Sequence, residues 1–214
     1  MDKCVETCQP GLQSGCTIRG RGKPVGNLSC AEVDRRLEAL GASAGWKTPI
    51  ADKVSLCVKA AIMKGLIKIT GDDKNELSQI VHSETWLCGH HIDARLGDLF
   101  VQPDFAGTDC FDGSENATVF CKEPGCEEKN VRGEGRVYVT GICEGKPTFD
   151  TGKAHNHCVQ CPGFGQCIWD YRELHCDGCG KHYFGGHHVA YYCSCKKGRE
   201  EKKKWGNGGT DESD

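Results

Sequence analysis

The residues best suited to chemistry are thiols and imidazoles set at short, regular gaps. Cys158-Val159-Gln160-Cys161 is followed after fourteen residues by Cys176-Asp177-Gly178-Cys179, and then by His182, His187, His188, Cys193 and Cys195. A two-residue gap turns both thiolates of a pair inward on a tight knuckle, and four such ligands complete a tetrahedral site. Two pairings satisfy this spacing. In a ribbon, Cys158, Cys161, Cys176 and Cys179 share one ion, while His182, His187 or His188, Cys193 and Cys195 hold the next. In a cross-brace, Cys158 and Cys161 join His182 and one of His187 or His188, leaving Cys176 and Cys179 to Cys193 and Cys195.

A second cluster begins at Cys121 and Cys126, which flank a Lys-Glu-Pro-Gly turn. These two are predicted co-ligands, completed by Cys143 together with His157 or Cys158. Cys88, within His82-x5-Cys88-x2-His91, offers a further site with Cys57 or an amino-terminal cysteine. Cys57 itself lies on an apolar helical stripe and reads first as core, where Cys57→Ala would cost about 1–3 kcal/mol as a simple truncation. Cys4, Cys8, Cys16 and Cys30 stand at irregular gaps. The expected cofactor is Zn2+, two to four ions, because clustered cysteines in a reducing compartment hold metal more often than disulfides.

The composition makes such staples necessary. The 214 residues include 17 Cys and 9 His, yet only 37% are hydrophobic, below the roughly 45–50% of ordinary globular domains. An apolar core alone would be thin. The formal net charge of −3 excludes a global positive field that would draw the whole chain onto nucleic acid or an anionic membrane. No run of about 18 apolar residues and no apolar leader stretch is present, so a soluble, cytoplasmic or nuclear protein without a membrane role is expected. No Gly-x-Gly-x-x-Gly phosphate cradle and no paired carboxylates emerge, so no small-molecule cofactor is implied and no catalytic residue is nominated.

The elements that must position these ligands follow from periodicity. The α+β class is expected: a small helical bundle over 28–100, then an irregular, zinc-stapled module over 105–195 with short antiparallel strands. Ser29-x-x-Glu32 is a capping box, and Val33, Leu37 and Leu40 follow at helical spacing, which predicts a helix over about 30–40. Thr48-Pro49 predicts a second helix running to Gly65, and Asp73-x-x-Glu76 a third running to Gly89. Residues 110–195 hold 11 of the 17 Cys and 6 of the 9 His. Their strand-like pieces, Thr118–Phe120, Val137–Val139, Ile168–Trp169 and Val189–Tyr192, are too short to hold a sheet unaided. Residues 1–27 form a loop-rich arm carrying Arg19 and Arg21. Residues 196–214 read as a charged, disordered tail carrying Lys202, Lys203 and Lys204.

The order Cys-x2-Cys-x14-Cys-x2-Cys-x2-His-x4-His-x5-Cys-x-Cys resembles that of a RING-like, treble-clef-type zinc finger over about 40 residues. Arg172 to Gly186 is also similar to the tandem-cysteine region of PHR-type RING-Cys-relay ubiquitin ligases, and Cys-Asp-Gly-Cys-Gly-Lys to ZZ-type fingers. The chain departs from the RING pattern in ending with Cys193-Ser194-Cys195. The resemblance implies zinc-dependent recognition of a protein partner, with ubiquitin transfer as the activity if there is one. The alternative is an RNA-binding zinc finger, similar to the small cysteine-rich proteins of plant viruses, using Arg19, Arg21, Lys202, Lys203 and Lys204 on phosphates.

Overall fold

A computed structural model of the chain describes residues 28–47, 49–100, 117–126, 136–151, 155–186 and 191–205. The arm over 1–27, Thr48, Cys110, His187, His188 and residues 206–214 lie outside the described residues, together with Arg19 and Arg21.

Helix α1 (Cys30–Ser43) begins where the sequence predicts, because the Ser29 hydroxyl accepts the Glu32 amide at 3.2 Å. Its Val33, Leu37 and Leu40, at helical spacing, are fully buried. On the outer face Arg35 and Arg36 both donate to the Glu32 carboxylate and hold it down to about 2, well below the usual carboxylate range.

The second helix differs from expectation. Pro49 does not start it: the Glu38 carboxylate takes the amides of Ile50 and Ala51, which confines that stretch to a 3-10 turn, Ala51–Lys53. Val54 is extended, and helix α2 (Leu56–Met63) starts afresh with Ser55 as its cap. Nearly every residue of α2 is buried, including Lys59, whose ammonium pairs with Asp34 at 2.9 Å.

The predicted third helix is a hairpin. Asp73 does cap a 3-10 turn (Lys74–Ser78), but Glu76 turns back to the amides of Thr70 and Gly71 and leaves the capping box unmade. The β-branched Ile80, Val81 and Thr85 then favour extended chain. Strand β1 (Ile80–Thr85) pairs antiparallel with β2 (His91–Arg95), Thr85 opposite His91 and Glu84 opposite Ile92. Gly89, at φ +78°, closes the turn through its amide on the Trp86 carbonyl, which sets Cys88 and His90 side by side at the tip. A short helix α3 (Leu96–Phe100) buries Leu96, Leu99 and Phe100.

Strands β3 (Ala117–Phe120), β4 (Arg136–Thr140) and β5 (Thr148–Asp150) form an antiparallel sheet in that order. Ala117, Val119, Val137, Val139 and Phe149 share its buried face by simple alternation. Two hairpins complete the chain: β6 (Asn156–Cys158) with β7 (Gln166–Ile168), and β8 (Glu173–Cys176) with β9 (Lys181–Phe184). One buried cluster runs from Val33 in α1 through α2 to Cys167 in β7, so it draws on residues from both sides of Pro103. The segment read as a disordered tail is ordered over its first part: Lys196–Trp205 is helix α4. Among the described residues, four helices with small antiparallel sheets make the chain α+β, as the sequence implies. Among the described residues no helix is long and apolar enough to cross a membrane.

Because Leu37 is wholly enclosed while Ser29 contributes one capping bond, Leu37→Ala should cost about 2–5 kcal/mol and Ser29→Ala about 1 kcal/mol. Urea unfolding of the two variants checks this, and equal small losses would contradict the packing of α1.

Candidate metal centres

Twelve of the 13 described cysteines gather with four histidines into four groups. Within each group all ligand atoms lie within 4.8 Å of one another. An ion bonded at about 2.3 Å to sulfur and 2.0–2.1 Å to nitrogen would set tetrahedral S···S edges of about 3.8 Å and S···N edges of about 3.6 Å. The close pairs described below fall near those lengths, apart from the Cys57–Cys167 sulfurs, which lie closer at 3.3 Å.

Site 1 joins Cys57 of α2, Cys143, His157 of β6 and Cys167 of β7, all buried. Cys143 sits in a 3-10 turn (Ile142–Glu144) held between the left-handed Gly141 and Gly145. The His157 ring is fixed from behind: with Nε2–H donating to the Phe164 carbonyl at 2.8 Å, Nδ1 keeps its lone pair for the sulfurs of Cys143 and Cys167, 3.7 and 3.6 Å away. Cys57 and Cys167 sulfurs lie 3.3 Å apart. Hydrogen bonds from the Cys143 and Cys57 thiols, with backbone amides, draw Cys167 down to about 4. The same crowding by Cys143 and Cys167, with burial, pushes the Cys57 thiol well up. Lys64 stands beside the site, donating to the Cys143 carbonyl at 2.8 Å and to Glu144 at 2.7 Å. Burial opposes its charge, but Glu144 and the neighbouring sulfurs raise its pKa.

Site 2 joins Cys88 and His90, from the β1–β2 tip, to Cys121 and Cys126. The Cys121 sulfur is 3.5 Å from His90 Nδ1. Cys121 and Cys126 thus lie in one group, whereas Cys143 and His157 belong to site 1, and Cys158 to site 3. Their places are taken by Cys88 and His90, which only the hairpin brings near. His82 and His91 turn elsewhere, to Glu84 and Ser83.

Sites 3 and 4 interleave along β8. Successive strand residues face opposite ways, so adjacent His175 and Cys176 serve different sites. His175 faces His182 across the β8–β9 pair, and both rings reach Cys161, at 3.6 and 3.5 Å, beside Cys158. Cys176 joins Cys179, Cys193 and Cys195, with sulfur separations of 3.6 Å to Cys195 and, for Cys179 to Cys193, 3.7 Å. This is the cross-brace pairing for site 4. In site 3 the place that the sequence assigns to His187 or His188, both outside the described residues, is filled by His175. The Cys161 thiol and the His182 ring lower Cys158 to about 4, and Cys161 is correspondingly pushed up. Cys195, at the start of α4, is lowered to about 7 chiefly by the Gly198 amide, 3.3 Å from its sulfur.

The signal for His175 was present in its place beside Cys176 on a strand. The sequence pairs Cys57 with Cys88 rather than with Cys167, because Cys57 and Cys167 stand 110 residues apart in the chain. Two clefts, of about 280 and 310 Å³, lie among the described residues, and none of the sixteen ligands lines either. No family model, curated protein or solved structure matches the chain.

Gly165 has φ +92°, and a methyl group there would stand 2.7 Å from His157 Nε2 and against the Cys158 carbonyl. Gly165→Ala should therefore displace the ring, and Cys57→Ala should remove a ligand rather than only truncate the core. Each variant should lose one metal equivalent by mass spectrometry of the folded chain; unchanged metal content in both would contradict site 1.

Proposed function

We propose that the protein is a zinc-stapled recognition module: four structural Zn2+ ions hold its fold, and it acts by binding another macromolecule. The observation that supports this reading is that each group offers four protein ligands, all Cys or His. Structural zinc sites are closed in this way, whereas catalytic ones keep a position open for water or substrate. Cys3His at sites 1 and 2, Cys2His2 at site 3 and Cys4 at site 4 are borderline-soft donor sets suited to zinc rather than to the hard ions that carboxylates select. Recognition fits a fold that presents short hairpins and loops on a rigid, metal-bound frame.

The sites would supply folding free energy of order 10 kcal/mol each, which the thin core cannot replace. Native mass spectrometry should find four zinc ions per chain. Cys176→Ala or Cys179→Ala should unfold the β8–β9 hairpin and α4, and a strong chelator should abolish the near-ultraviolet circular dichroism. A folded, reduced chain with fewer than one zinc ion, or one indifferent to the chelator, would overturn the reading.

A further inference from the structure

Site 4 does more than close a hairpin: it fixes a cationic helix beside an aromatic ledge. The Gly198 amide donates to Cys195, and a Cβ at Gly198 would collide with the Cys193 carbonyl, so the first turn of α4 lies directly on two site-4 ligands. Gly178, within the Cys176–Cys179 knuckle, is equally close to Lys197. Along α4 four of the six cations share one face. At 100° per residue, Lys196, Arg199, Lys202 and Lys203 fall within one arc of about 120°, while Lys197 and Lys204 fall outside it with Glu200 and Glu201. All four cations are exposed.

The ledge is built from Phe184 at the end of β9 and Tyr191. Their ring centroids are 5.7 Å apart, the Arg172 guanidinium lies 4.9 Å over Phe184, and the rings are 46% and 58% exposed. The Tyr191 amide on the Gly185 carbonyl, at 3.0 Å, holds the two together. Tyr191 stands two positions before Cys193 in the chain, a span of at most about 7 Å. The ledge and the first turn of α4 are thus neighbours on one frame.

Resting on the recognition reading above, we infer that this face binds single-stranded nucleic acid, with Lys196, Arg199, Lys202 and Lys203 on the phosphates and Phe184 and Tyr191 stacking on unpaired bases. The cationic face is complementary to a polyanion, and exposed rings beside an arginine distinguish a strand with free bases from a duplex, whose bases are already stacked. An acidic protein would use the cations but has no planar bases for the ledge. The chain's net charge of −3 does not oppose this, because α4 itself carries six Lys and Arg against two Glu.

The test is fluorescence anisotropy of a labelled 20-nucleotide mixed-sequence RNA, and of its duplex, with the full zinc-loaded chain at 50 and 200 mM salt. Four neutralised phosphates should weaken single-strand binding about fiftyfold between these concentrations. Replacing the four cations together by Gln should remove most of that salt dependence, and replacing the three lysines by Arg should preserve it. Phe184→Ala and Tyr191→Ala should each weaken binding about fivefold or more while leaving the salt slope unchanged. Zinc content and circular dichroism of every variant verify the fold. A chain with four zinc ions that ignores the RNA, binds duplex equally well, or captures an acidic peptide through the same cations instead would overturn the inference and leave the zinc reading intact. Binding through these residues by a folded chain with fewer ions would retain the inference and remove the zinc reading.

Discussion

Bringing two to four sulfurs, with their imidazole partners, within 4.8 Å of one another sets the constraint on which the remaining structure depends. As thiolates they repel, and as thiols they are poor hydrogen-bond partners in a dry interior. The opposed shifts within the groups express that conflict: Cys158 and Cys167 take charge, while Cys161 and Cys57 resist it. A divalent cation at the centre of each group would resolve it, because one ion stabilises every thiolate at once. A chain that is only 37% hydrophobic needs such a device.

The four groups also explain how short elements acquire order. Hairpins of three- and four-residue strands are marginal alone, yet β6–β7 carries ligands of sites 1 and 3, and β8–β9 carries ligands of sites 3 and 4. Site 1 ties α2 to the Ile142–Glu144 turn and to both strands of the β6–β7 hairpin, with Lys64 and Glu144 closing its edge. Sites 3 and 4 share a strand through His175 and Cys176, so a disturbance at one propagates to the other. The chain of dependence ends at α4, whose position follows from site 4.

Local signals were legible where local physics decided the outcome. The Ser29 cap, the stripe of α1, the alternation in β3 and β4 and the Cys176–Cys179 knuckle all stand in the sequence. The hairpin over 80–95 was not legible, since Asp73-x-x-Glu76 and a scatter of apolar residues imitate a helix until Glu76 is seen bonding to Thr70 and Gly71. The break at Val54 depends on Glu38 reaching across from α1. Sites 1 and 2 join residues whose proximity is a product of the whole fold, so spacing found the pair Cys121 and Cys126 but not their partners. The order of α4 escaped composition for a related reason, because its anchor is a bond from Gly198 to a site-4 sulfur.

The central claim, that thiolates and imidazoles of these four groups close around zinc, is tested most directly by X-ray absorption at the zinc edge of the fully loaded chain. Twelve sulfurs and four nitrogens shared among four ions predict, per zinc, an average of three sulfurs at about 2.3 Å and one nitrogen at about 2.0 Å. A first shell dominated by oxygen or nitrogen, or one of five or six ligands, would contradict it.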